Sequence, residues 1–249
     1  MILKSVSIDC VIFGFDGISL NILLSQQNPE NALKSIRAQK DFEDIKHLYE
    51  NHPSLTDPKS WNVFGAHVPV EKDLDEFAQE LLYMATGMND VFLKQFHCFG
   101  KPDRVPNNRV LTIGYYALIN PNHHTIKKSI ELNDLKWFKL DRLPKLVFDH
   151  PYIINKALEH LRQEVRYHPV GFHLLPDKFT LTEFQSLYEV ILDKKMDTRN
   201  FRKKIANMGL LIDTGEKQQN VSHRAAKLFR FDEQVYNQLK NDGLKFRIE

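Results

Sequence analysis

Cysteine is nearly absent: Cys10 and Cys98 are the only two in 249 residues. Two thiols cannot frame a disulfide scaffold or supply a zinc site, so the expectation is two buried thiols in a reducing cytoplasm. Long apolar runs are missing too. No stretch approaches the roughly 18 apolar residues that a membrane-spanning helix requires. Met1-Ile2-Leu3-Lys4 does not open the apolar segment of a secretory signal, and a cytoplasmic protein with no membrane partner is expected. The 11 histidines are scattered, with no His/Cys spacing of a zinc site, so neither a metal nor another cofactor is implied. His123-His124 follows the turn signal Asn120-Pro121-Asn122 and is expected in an exposed loop.

A large excess of one charge is also lacking, with 34 Lys and Arg against 32 Asp and Glu, but the near-balance hides an asymmetry. Lys194 to Glu249 holds 13 Lys and Arg against 7 Asp and Glu, net +6, which leaves 21 against 25, net −4, for the remainder. A basic C-terminal module on an acidic body points to a polyanionic partner. The composition, 42% apolar and 27% charged, is that of a globular protein long enough for one large domain or two ordinary ones.

Periodicity divides the chain. Ser5 to Ser25 alternates apolar and polar residues around Asp16-Gly17, the pattern of a β-hairpin. Asn28 to Pro58 is polar, with one helical pattern (Phe42, Ile45, Leu48, Tyr49), and is expected to be an insertion over about 28–60. Val68 to Val70 looks extended, with Pro69 restricting it to an edge or turn. Leu74, Phe77, Ala78, Leu81, Leu82 and Ala85 fall at helical spacing, and Thr86-Gly87 ends the run. Strands are predicted over Val91–Phe99, Arg109–Ile119 and Leu135–Phe138. A helix follows Asp149, with Ile153, Ile154, Ala157, Leu158 and Leu161 on its apolar side. Strands and helices in this mixture predict a mixed sheet with helices packed on it for residues 1–150.

Beyond Pro169 the pattern changes. Thr180 and Glu183 have the spacing of a capping box before a helix that buries Phe184, Leu187, Tyr188 and Ile191. Asp193 to Met196 makes a turn, and Asp197 can cap a second helix that points Phe201, Ile205 and Met208 inward. Arg199, Arg202 and Lys203 then share the opposite face. Gly209 closes that helix, Leu210-Leu211-Ile212 begins a strand, Thr214 to Lys217 makes a tip, and Ala226 to Phe231 returns. Helix, turn, basic helix and hairpin are the order of a winged helix-turn-helix.

Several segments carry a resemblance to a known family. Trp61 to Val68, Asp73 to Ala78 and Ala85 to Met88 resemble the Nudix box region. Phe99-Gly100, Arg104 and Arg109 to Leu118 resemble the phosphate-side loop and strand of the Nudix-related transcriptional regulators, and Leu146 to His150 their domain-closing motif. Phe179 to Glu189 and Arg199 to Ile205 are similar to their DNA-binding half. The likeness spans nearly the whole chain except about 30 residues from Asn28. It implies an α+β chain: a Nudix-type α/β/α mixed-sheet domain over 1–150, a connecting helix over 151–168, and a winged helix-turn-helix over 169–249. The implied function is a regulator, a repressor in the first instance, whose DNA binding a small ligand controls.

Departures from the Nudix pattern weigh against hydrolysis. Counted back from Thr86-Gly87, the helix positions that should be glutamate hold Leu81, Met84 and Ala85, and the supporting arginine position holds Glu80. The earlier glutamate falls at Lys72, or at Glu71 if the loop shifts by one. Thioether and alkyl side chains cannot hold a hard divalent cation against a diphosphate. The expectation is therefore no catalytic residues. A site rebuilt from Glu76 and Glu80, which share a helix face, is the opening left to a divergent Mg-dependent hydrolase of a nucleoside diphosphate derivative. A third alternative is a protein-interaction module. Arg104 and Arg109 are candidates for holding a phosphate or sugar in the old pocket, with two solvated surface arginines as the alternative; Phe64 and His67 are candidates for lining it.

At the second helix of the helix-turn-helix, Thr198, Arg199, Asn200 and Lys203 are the candidates for base edges. Arg202 lies on the same basic face, and Lys194, Lys195, Lys204 and Arg224 are the candidates for phosphates. A homodimer on double-stranded operator DNA is expected. The resemblance implies effectors such as ADP-ribose or a sugar such as arabinose, and the lost metal ligands shift the expectation towards the sugar.

Overall fold

The computed structural model describes residues 5–27, 59–89, 91–105, 109–122, 126, 132–219, 221–222, 224–241 and 246–248. The expected helix at Phe42–Tyr49 and the His123-His124 loop lie outside them. The described residues form two compact units. The first draws on the described residues within 1–14, 21–119 and 124–158, the second on those within 15–20, 120–123 and 159–249.

In the first unit, β1 (Ser5–Phe15), β2 (Leu20–Gln27), β4 (Phe92–Phe99), β5 (Val110–Ile119) and β6 (Leu132–Lys139) hydrogen-bond in the order β4-β5-β1-β2-β6, and β3 (Phe64–His67) pairs with β1. β1 runs parallel to β5, with Ile8 opposite Ile113 and Cys10 opposite Tyr115, and antiparallel to β3. Side chains alternate across the sheet. Ile8, Cys10 and Ile12 of β1, with Ile113, Tyr115, Ala117 and Ile119 of β5, join the core beneath helix α1 (Leu74–Thr86). That helix contributes Phe77, Ala78, Leu81, Leu82 and Ala85. Each large side chain so buried contributes roughly 1.5–3 kcal/mol. The opposite alternation places Ser7 and Asp9 of β1 beside Thr112 and Gly114 of β5.

The predicted helix limits match the capping chemistry. Asp73 Oδ1 accepts from the N–H of Asp75 at 2.8 Å, and Gly87 closes the helix at φ 71°, where glycine carries no Cβ penalty. Strand pairing ends at His67, short of the expected Val68–Val70. Val68 N still donates to Val6 O at 2.9 Å, but Pro69 has no N–H to continue the ladder and its carbonyl accepts from Lys72 N. Cys10 is buried as expected; Cys98 is exposed on the edge strand β4, contrary to the expectation of two buried thiols.

Helix α2 (His150–Tyr167) buries Ile153, Ile154, Ala157, Leu158 and Leu161 as its periodicity predicts. The second unit holds α3 (Leu181–Leu192), α4 (Thr198–Met208), the hairpin β7 (Leu211–Lys217) and β8 (Lys227–Phe231), and α5 (Glu233–Asn241). Phe184, Leu187, Tyr188 and Ile191 are fully buried, and Phe172 lies 4.6 Å from Phe184 and 4.1 Å from Phe231 between ring centroids. Met208 is half-buried rather than buried. The hairpin corrects one expectation. Thr214 to Lys217 is not the tip; it is an irregular stretch within β7, and pairing resumes at Lys217↔Lys227. Gly215 at φ 71° makes the kink, Asp213 Oδ1 accepts from its N–H at 3.0 Å, and the Thr214 hydroxyl donates to Leu228 O at 2.9 Å. Helix α5, with buried Tyr236, was not foreseen: its apolar positions are too few to stand out from the polar residues around them.

Candidate DNA interface and effector site

The recognition element is assembled by its caps. Thr180 and Glu183 form the reciprocal capping box that starts α3, and Asp193 ends it in the left-handed region at φ 52°. Asp197 Oδ1 accepts from Asn200 N at 2.8 Å, satisfying a backbone donor at the start of α4. Phe201 and Ile205 turn into the core, which leaves Thr198, Arg199, Asn200, Arg202 and Lys203 exposed and Lys204 half-buried. Lys194 and Lys195 stand exposed on the preceding turn. Lys195 Nζ lies 2.8 Å from Glu189 Oε2, Thr198 Oγ1 accepts from Gln185 Nε2 at 3.2 Å, and an Arg202 terminal nitrogen is 3.4 Å from Thr182 Oγ1. Arg224 is exposed between β7 and β8, apart from the helix in sequence. On the hairpin itself, Lys178 pairs with Glu216 at 2.6 Å and Lys227 with Asp213 at 2.7 Å.

The four effector candidates occupy different environments. Phe64 is buried in the core beneath α1. His67, at the end of β3, is half-buried; its Nδ1 lies 3.1 Å from Ser5 Oγ, and burial holds its pKa below the ordinary histidine value. Arg109 is exposed and donates to Gly100 O at 2.6 Å. Arg104 is not a solvated surface arginine, since its side chain is 5% exposed. Its guanidinium grips Asp149 with two bonds of 2.9 and 3.0 Å, donates to Thr112 Oγ1, and stands 3.7 Å from Asp9. Arginine's planar fork suits this bidentate grip.

A buried polar ring surrounds that arginine. Thr112 Oγ1 is 2.7 Å from Ser7 Oγ, and His150 Nε2 is 4.0 Å from Asp9 Oδ2. Nδ1 of His150 accepts from Val63 N at 3.2 Å. Burial pushes the Asp9 carboxyl up to about 7 against the pull of Arg104, and burial followed by Arg104 brings His150 down to about 3. A methyl group on Gly65 would collide with the Asp9 carboxylate, so a glycine is required where β3 crosses it.

The Nudix metal positions do not fit a divalent cation. Leu81 and Ala85 are buried apolar residues of α1, and Met84 is exposed. Glu80, next to Leu81 in sequence, is bonded to Lys72 Nζ at 2.9 Å. Among the described residues no group of three or more His, Cys, Asp or Glu side chains is arranged to hold a metal ion.

Residues 171–231 match the family described as the NrtR DNA-binding winged helix domain. The chain is 28% identical over 236 residues, 93% of its own length and 83% of the relative's, to the ADPR responsive transcriptional repressor NtrR of Acinetobacter baylyi. The crystal structure of Shewanella oneidensis NrtR is similar at a TM-score of 0.71 with 26% identity, covering 92% of this chain and 94% of that one. The same protein with a 27mer DNA is similar at 0.69 with 25% identity, covering 91% and 93%. This chain has the architecture of the Nudix-related transcriptional regulators. A MutT/nudix family protein from Enterococcus faecalis shares the fold at a TM-score of 0.67 with 20% identity, over 93% of this chain and 87% of that one.

Sequence reading of this regulator architecture missed Asp9, Thr112 and Asp149 around Arg104, and Gln185 and Glu189 behind Thr198. A signal for the first existed: Asp9 is the lone charged residue of β1. The second pair reads as ordinary polar spacing on a helix, and only the turn that follows gives it a role.

Proposed function

We propose that the chain is a homodimeric transcriptional repressor whose DNA binding is released by ADP-ribose. Residues 1–150 hold the effector, 151–168 connect, and 169–249 bind DNA. The observation that carries this is the capped helix α4, which buries Phe201 and Ile205 and presents Arg199, Asn200, Arg202 and Lys203 outward in a winged-helix unit. Thr198, Arg199, Asn200 and Lys203 read base edges in the major groove; Lys194, Lys195, Lys204 and Arg224 hold phosphates. His67 and Arg109 contact the effector, while Phe64 and Arg104 form the framework behind them. ADP-ribose takes precedence over a sugar because the Acinetobacter relative is named for it. Losing metal ligands removes the means of cleaving a diphosphate, yet a cationic side chain such as Arg109 can still bind one. Leu81, Met84 and Ala85 support binding without hydrolysis.

The test is fluorescence anisotropy with DNA from upstream of the protein's own gene, at two salt concentrations, with a random duplex as control. Selective binding is expected, weakening steeply with salt at a slope of roughly −0.9 per phosphate contact. Arg199→Ala should lower affinity for the upstream duplex by roughly tenfold or more, the weight of one base contact. Equal, weak binding to both duplexes would contradict the proposal.

A further inference from the structure

The turn between α3 and α4 is fastened by two residues of α3. Gln185 and Glu189 are four residues apart and share a helix face. Gln185 Nε2 lies 2.9 Å from Glu189 Oε1, 3.1 Å from the Met196 carbonyl and 3.2 Å from Thr198 Oγ1. An amide nitrogen carries two hydrogens, so one of them serves two acceptors. Glu189 completes the frame: Oε1 accepts from Met196 N at 2.9 Å and Oε2 from Lys195 Nζ at 2.8 Å. The Lys195 bond, then those of Gln185 and Met196, hold the Glu189 carboxyl down at about 2, so it stays ionised. Gln185 is buried, and a buried amide with its donors engaged has one defined orientation.

The consequence falls on Thr198, the exposed first residue of the recognition helix. Gln185 occupies one side of its hydroxyl oxygen. The hydroxyl proton meets no acceptor among the described residues, and a hydroxyl is both donor and acceptor. We propose that Gln185, braced by Glu189, is a positioning residue for DNA recognition, orienting the Thr198 hydroxyl as a hydrogen-bond donor to a DNA oxygen or base-edge acceptor. This rests on the DNA-binding reading above, and its test separates the two.

The probe is a duplex that the wild-type protein selects from a randomised pool. If the wild type selects no sequence, the DNA-binding reading falls and this inference with it. Given a selected duplex, Gln185→Leu and Thr198→Val should each weaken binding roughly tenfold, the scale of one hydrogen bond. The double variant should be no weaker than either single, because both remove the same bond. Thr198→Ser should bind as the wild type does. Loss confined to the selected duplex places the acceptor on a base edge; equal loss on a random duplex places it on a phosphate. Gln185→Leu binding like wild type, or losses that multiply in the double variant, would overturn the proposal. Should Gln185→Leu not fold, Gln185→Asn, whose amide falls one methylene short of Thr198, replaces it in the cycle with the same expectation.

Discussion

Asp9 and His150 are two titratable groups buried in one polar ring, and their responses to pH run in opposite directions. Asp9 is raised from an ordinary 3.8 to about 7 by burial, so the folded state holds its proton over a range where the unfolded chain has released it. Its stabilising contribution is complete below about 3.8 and is lost as pH rises towards 7. His150 is lowered from 6.5 to about 3, so its contribution is complete above 6.5 and is lost as pH falls towards 3. Nδ1 already accepts from Val63 N, so a second ring proton would have to displace that bond. Asp9→Asn removes the first response and leaves the second. Urea unfolding at pH 4, 5.5 and 7 should show the variant gaining more stability with pH than the wild type does; parallel profiles would contradict the assignment. Arg104 was legible in the sequence as a residue of interest, but its partners were not. Asp9 and Asp149 are far from it along the chain, Thr112 lies on the following strand, and the parallel pairing of β1 with β5 helps bring Asp9 and Thr112 together.

At the scale of elements, local chemistry made most of the helices readable. Helix α1 begins at Leu74, where the apolar spacing predicts, and ends at the predicted Thr86-Gly87, and α3 begins where the Thr180–Glu183 box predicts. Such caps report on a few adjacent residues and need no tertiary information. The wing was less legible, because Gly215 signals positive φ without saying whether it serves a turn or a bulge. The basic face of α4 was readable from spacing alone, but the α3 partners of Arg202 on that face, of Thr198 at its start and of Lys195 on the preceding turn were not. The cap of α4 gives a direct prediction. Asp197→Ala should cost about 1 kcal/mol of stability, the usual weight of an N-cap. Because the first turn of α4 carries the proposed base contacts, DNA affinity should fall as well. Thermal unfolding and anisotropy on the same samples check both, and full affinity in a destabilised variant would remove the first turn from the interface.

For the whole molecule, one chain carries a Nudix-type unit without fitting metal ligands and a basic winged-helix unit. The charge asymmetry in the sequence and the apolar residues at Leu81, Met84 and Ala85 support the proposed roles, with the first unit binding the effector and the second the DNA. Under the proposed function, binding at the two sites is one linked equilibrium, in which ADP-ribose weakens DNA binding by the factor by which DNA weakens ADP-ribose binding. The most direct measurement is a two-way titration without metal, with ADP-ribose added to the protein–DNA complex and DNA added to ADP-ribose-loaded protein. The account predicts the same factor in both directions, on the order of 5–150-fold, with the ADP-ribose recovered intact. DNA affinity unmoved by ADP-ribose, or ADP-ribose cleaved during the titration, would contradict it.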